Sequence, residues 1–263
     1  PTAGVTKTPY TQWLEQADAL NYLVSVFSLD AYVEEQQHRG HLVQEPSSGA
    51  VRTFNATASL EFFLTVEGNP YGTENFLMSW LDTSNGNFPP PVSYQAVVVT
   101  LPIVAATYPL EIDSLFTAAI NKRLGTNNMT FNEIYRYLDD KNISLAEIIP
   151  IPEQDDWLYD GKPSLVCSAL VMRLYKAGGL FDAEGLTEHI QGTEFTPRDG
   201  YSISIYNQDW QPPKGCDSPN RYDCQLMGDY VLELPGVNSI VPYANMMEKC
   251  SAIPPDYTRP IGC

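Results

Sequence analysis

Ser164-Leu165-Val166-Cys167-Ser168-Ala169-Leu170-Val171-Met172-Arg173-Leu174-Tyr175-Lys176-Ala177-Gly178-Gly179 is the stretch that decides the fold. It reads as a helix over residues 164–177. Ser164 offers a cap at its start, the glycine pair stops it, and Arg173 and Lys176 place cations where the helix dipole favours them. Cys167 then falls in the first turn. Unpaired backbone N–H groups and the positive end of the dipole favour a thiolate there. The same amides can stabilise an oxyanion. The competing reading is a plain core cysteine, because free Cys is among the most buried residue types and Leu165 and Val166 stand beside it.

Outward from this helix the pattern is mixed. Pro9 opens a first helix that runs past Trp13 to Leu20. Residues 21–29 read as a buried strand, rich in β-formers. Residues 57–66 read as a short helix stopped by Gly68 and Pro70. From Pro89-Pro90-Pro91 the character changes. Residues 112–123 are helical, and Thr130…Glu133 and Ser144…Glu147 are capping boxes that start further helices. Beyond the cysteine helix, residues 180–191 hold another helical turn or two. Residues 201–206 and 230–234 alternate and predict antiparallel strands with one wet face. The expected fold is α+β. Residues 1–83 and 153–263 form a core of helices on a small antiparallel sheet, and residues 84–152 form a helical insertion.

Composition narrows the function classes. Of 263 residues, 43% are hydrophobic, enough for a core without metal support. Asp+Glu number 32 against 15 for Lys+Arg, a net charge of −17. That surface repels phosphate backbones and anionic lipid, so nucleic acid is excluded as a general partner. The most apolar stretch, residues 96–106, is too short to span a membrane and contains Pro102. No metal or cofactor motif is present.

The cysteines point away from the cytosol. Cys216, Cys224, Cys250 and Cys263 cluster near the end among loop formers. Neighbour pairing gives Cys216–Cys224 and Cys250–Cys263, one of three connectivities that four cysteines allow. A zinc site lacks both a C-x₂-C pair and a nearby His. Disulfides belong to an oxidising compartment, so the expected location is extracellular or the lumen of a secretory vesicle. Asn55-Ala-Thr57, Asn128-Met-Thr130 and Asn142-Ile-Ser144 are glycosylation sequons. The start at Pro1, without a leader, is expected to mark a processed product or a fragment.

Cys167 is left without a partner. A thiol enzyme needs a base, and the histidines are His38, His41 and His189. His189 lies in a helical-looking stretch and the other two in a polar one; each also reads as a solvated side chain.

Three segments together carry a resemblance. Glu67-Gly68-Asn69-Pro70-Tyr71 resembles the G-x-P-Y segment of NlpC/P60-type, papain-like thiol hydrolases. Cys167-Ser168-Ala169-Leu170-Val171 is similar to their nucleophile helix. Thr196-Pro197-Arg198-Asp199 resembles the T-P-x-D stretch of the circularly permuted branch. The resemblance covers about residues 55–83 and 160–210. It implies a papain-like core and Cys167 as nucleophile. It gives Tyr71 a role in positioning substrate or contacting the oxyanion, against a core aromatic with a bonded hydroxyl as the other reading. Thr196-Pro197 is expected to cap a short helix rather than touch substrate. In the permuted arrangement the histidine strand precedes the cysteine. The general base is therefore expected upstream of Pro1, on a His-bearing fragment of the same precursor.

The implied function is a secreted cysteine-dependent amidase or peptidase acting on a peptide or other amide. A catalytically inactive extracellular glycoprotein that keeps the fold for binding is the alternative. A lipid acyl hydrolase or acyltransferase is a third reading with no feature of its own in the sequence.

Overall fold

The computed structural model describes residues 4–33, 52–72, 109–148, 153–158, 165–212, 214, 216 and 223–242. Helices dominate, joined by a small amount of sheet, so the fold is of mixed α+β type. In chain order the elements are α1 (Tyr10–Ala19), β1 (Val24–Phe27), β2 (Tyr32–Val33), β3 (Thr53–Phe54), α2 (Ala56–Val66), α3 (Pro109–Leu124), α4 (Phe131–Lys141) and α5 (Leu145–Ile148). They continue with α6 (Cys167–Ala177), 3-10 turns at Thr187–His189 and Gly192–Glu194, α7 (Pro197–Ser202) and β4 (Asp223–Met227).

The ends of these elements follow from local chemistry. Asn55 caps α2, its side-chain oxygen accepting from the Ala58 N–H at 2.9 Å. Glu133 accepts from the Thr130 N–H at 2.8 Å and so closes the expected box at the start of α4. Helix α6 ends at Gly178, where the approach of another element requires a glycine. A Cβ there would sit 2.2 Å from the Phe54 ring. Gly179 then turns the chain at a φ of +76°, a conformation that favours glycine.

Strands β1 and β4 pair antiparallel, with Val26 opposite Cys224 and an irregularity between Val24 and Ser25. Cys224 is disulfide-bonded to Cys216, which ties that residue to this ladder. The short β2 and β3 run parallel. Three apolar clusters fill the described structure. Helix α6 contributes Met172 to one of them, with Phe181, Ile190, Phe195, Ile203 and Ile205. It contributes Ala169 to a second, with Val5, Val66, Leu165 and Val166. Helices α3, α4 and α5 share a third, built on Ile120, Leu124, Ile134, Leu138 and Ile148.

Several expectations are corrected. Helix α6 begins at Cys167, with Val166 in the capping position, so residue 164 is not its cap; Ser164 itself lies outside the described residues. Residues 201–206 are not a strand with one wet face. The Thr196–Asp199 box and Pro197 start α7, which takes Tyr201 and Ser202 into its last turn. The chain then extends, but Ile203, Ile205 and Tyr206 are all buried. They are covered by contacts to residues 28–30 on one side and Ile240 on the other. Residues 230–234 form no strand either. Tyr230 and Val231 are exposed. The Gln225 side chain instead donates to the Tyr230 carbonyl at 2.7 Å and accepts from the Leu232 N–H at 3.0 Å. One amide side chain thus occupies the backbone groups that a neighbouring strand would have used. The strand that does form, β4, precedes it.

Candidate functional site

Cys167 is the first residue of α6, is exposed, and carries a free thiol. Its neighbours Leu165 and Val166 are buried, as are Ser168, Ala169 and Met172. The helix packs by those side chains and turns Cys167 outward, which removes the core-cysteine reading. Valine in the capping position offers no side-chain acceptor, so this end has no cap hydrogen bond from its own N-cap residue. Of the first-turn amides, the Cys167 N–H already interacts with the Tyr71 hydroxyl oxygen.

Tyr71 reaches the same place from a distant part of the chain. It bridges Leu165 in parallel fashion, and the Gly72 N–H donates to the Leu165 carbonyl at 3.0 Å. This short pairing sets the Tyr71 hydroxyl 4.0 Å from the Cys167 Sγ, across 96 positions of sequence. Burial raises the Tyr71 phenol above its ordinary value, and the adjacent sulfur raises it further. The phenol therefore stays protonated and remains a donor toward the sulfur or an oxygen beside it.

The third segment of the resemblance completes the wall. A cavity of about 330 Å³ opens at Cys167, lined by Ser168, Val171 and Met172 of α6 and by Thr196, Pro197, Gly200 and Tyr201. Phe27, Tyr206 and Leu234 line it as well. Thr196 caps α7 as expected, donating to the Asp199 carboxylate from both N–H and hydroxyl at 2.7 Å. It also lines the cavity, which that expectation did not include. Burial raises the Tyr206 hydroxyl, which donates to the Gly200 carbonyl, so this wall stays neutral. Ser168 is 8% exposed, and its hydroxyl has no partner among the described residues.

Asp199 supplies a test of this wall. Burial holds its carboxyl above the usual range, against the lowering effect of the Thr196 donors. The folded state thus keeps the proton longer than the unfolded chain. The associated stability is full below the unfolded value, near about 4, and is lost as pH rises through the higher folded value. Asp199→Asn keeps an acceptor for Thr196 and abolishes the titration. Urea unfolding of both proteins between pH 4 and pH 7 (about the range concerned) should show the variant gaining on the wild type as pH rises. A difference constant with pH would contradict the raised carboxyl.

The remaining predicted residues are distributed elsewhere. His189 ends a 3-10 turn, half-buried, and is not among the residues lining the cavity. His38 and His41 lie outside the described residues, as do Cys250 and Cys263. Asn128 and Asn142 are exposed at left-handed positions. Asn55 is half-buried and engaged in capping α2. No cluster of metal-ligating side chains occurs among the described residues, and no helix there is long and apolar enough to cross a membrane. No family model matches the chain, and neither a curated protein nor a solved structure matches it.

Proposed function

We propose that Cys167 is the nucleophile of a papain-like thiol hydrolase, an amidase or peptidase of an extracellular or lumenal compartment. The observation that carries this reading is the meeting of an exposed first-turn thiol, the Tyr71 hydroxyl 4.0 Å from it, and a cavity at its side. The Cys216–Cys224 disulfide supports an oxidising compartment, and exposed Asn128 and Asn142 suit glycosylation there.

In the proposed reaction an imidazole takes the Cys167 thiol proton, the sulfur attacks the amide carbonyl carbon and an S–C bond forms. The carbonyl oxygen becomes an oxyanion within reach of the first-turn amides and the Tyr71 hydroxyl. The C–N bond then breaks, and the amine leaves with a proton delivered by an imidazolium. Water attacks the thioester, the imidazole takes its proton, and the sulfur is released with the acid product. The resemblance assigns that imidazole to a segment upstream of Pro1.

Tyr71→Phe removes the hydroxyl and keeps the ring. Hydrolysis is expected to fall by roughly 10²-fold, the usual scale for one oxyanion donor, while the unfolding midpoint stays within about 1 °C. Unchanged kinetics would return Tyr71 to a packing role. The second reading, a non-catalytic glycoprotein that binds through the same fold, is favoured by one observation. Among the described residues that line the cavity there is neither an imidazole nor a carboxylate. A His-bearing fragment found by mass analysis to travel with the chain would decide for the enzyme.

A further inference from the structure

We infer that residues 229–235 form a lid over the cavity beside Cys167, latched by the Gln225 side chain and hinged at Gly228 and Gly236. The inference rests on Cys167 and its cavity being the site, and adds how that site opens and closes. The segment contains neither helix nor strand. Tyr230 and Val231 stand in solvent, while Leu234 is half-buried and lines the cavity. The Leu234 side chain is thus the part of the segment that is seated on the site.

The chain is fixed on either side of this segment and lightly held within it. Before Gly228 it is paired in the β1–β4 ladder. From Gly236 onward it is bonded to the rim of the cavity. Ser239 donates to the Gly236 carbonyl at 2.6 Å. Buried Asn238 accepts from the Tyr206 N–H at 3.0 Å and donates to the Tyr206 carbonyl at 2.7 Å, and Tyr206 itself lines the cavity. The Ile240 N–H donates to the Ser202 carbonyl at 3.0 Å, and its carbonyl accepts from the Ser204 N–H at 2.6 Å. Within the segment the contacts are made near solvent. Gln225 donates to the Tyr230 carbonyl at 2.7 Å and accepts from the Leu232 N–H at 3.0 Å. Asn21 donates to the Asp229 carboxylate at 2.9 Å, and both side chains are exposed. Hydrogen bonds that water can replace break at little net cost, so this is where the structure opens first.

Gly228 and Gly236 stand at the two junctions, with φ of +114° and +82°. Glycine moves into and out of such conformations freely, so each supplies a hinge where the fixed chain ends. Rotation there lifts Leu234 off the cavity and returns it. A group seated in the cavity gives Leu234 apolar surface to cover, which shifts the segment toward its closed form.

Chymotrypsin cleavage after Tyr230 tests the lid, because that bond enters a protease only when Gln225 has let the segment go. The full chain is digested under native conditions and the Tyr230 cut is followed by mass spectrometry, with urea unfolding of each protein alongside. Gln225→Ala removes the latch and Leu234→Ser removes the seat. Each is expected to speed the cut about tenfold at an unchanged unfolding midpoint. N-benzyl iodoacetamide supplies an occupant: the Cys167 sulfur forms an S–C bond, iodide leaves, and the ring is carried beside the cavity. Protein labelled in this way is expected to be cut about tenfold more slowly than unlabelled protein. Rates within about twofold of wild type in both variants would overturn the lid. Equal rates for labelled and unlabelled protein would overturn it as well. Should Gln225→Ala lower the midpoint, Leu234→Ser decides alone, acceleration supporting the lid and an unchanged rate overturning it. Failure of Cys167 to label, with both variants cut faster, would overturn the nucleophile and leave the lid standing.

Discussion

Replacing Cys167 by alanine is expected to abolish hydrolysis, a loss of at least about 10⁴-fold, as for other nucleophiles removed from an acyl-transfer site. The fold should be untouched. Cys167 is exposed and makes no disulfide, so its sulfur supports no packing. Leu165, Val166 and Ala169, which anchor this end of α6, remain in place. The expected signature is therefore a dead protein with an unchanged unfolding curve. Assay of the Ala variant beside the wild type, with urea unfolding of both, reads the two quantities separately. Residual activity within tenfold (about 1.4 kcal/mol of barrier) would assign the chemistry to another group.

The largest expected effect on stability lies directly behind the cavity wall. Phe195 is 1% exposed and packs in the cluster of Met172, Phe181, Ile190 and Ile203. It immediately precedes Thr196 and Pro197, which line the cavity and start α7. Phe195→Ala removes a ring from a filled interior and leaves a void, a loss of about 3–5 kcal/mol in unfolding free energy. The same void lets the start of α7 shift, so catalysis should weaken together with stability. A loss under about 1 kcal/mol would mean that this interior collapses freely around the missing ring.

How far these features could be read from the sequence differs by residue. Helix α6 was legible because part of its stop is local: Gly179 turns the chain at a positive φ, while the need for glycine at 178 comes from the distant Phe54 ring. The capping box at Thr130 and the cap at Thr196 were legible because such signals are local; that Asp199 closes a box with Thr196 is seen only in the structure. The exposure of Cys167 was not. Two buried neighbours argued for the interior, and the outward turn of the sulfur is set by which face of α6 meets the other clusters. Alternation failed at residues 201–206 and 230–234. Six or fewer alternating residues do not distinguish a strand from a capped helical turn, or from a segment bonded by one Gln side chain.

That Tyr71 and Cys167 belong together was suggested only by the resemblance. Spacing alone says nothing about Tyr71 and Cys167 meeting, because one bridge between Tyr71 and Leu165 joins segments far apart in the chain. The cavity was not legible at all. Its walls combine Phe27 of β1, α6, α7 and Leu234, and each of these residues taken alone reads as ordinary apolar packing. What marks them as a wall is the space between them.

The central claim is that the Cys167 sulfur accepts an acyl group. The most direct measurement mixes the protein with the p-nitrophenyl ester of N-acetylphenylalanine, whose leaving group needs little help from an acid. The reaction is quenched at low pH and the peptides are weighed. The account predicts an N-acetylphenylalanyl increment on the Cys167 peptide, removable by hydroxylamine and absent from Cys167→Ala. Ester turnover with no adduct on that peptide, or an equal adduct in the alanine variant, would contradict it.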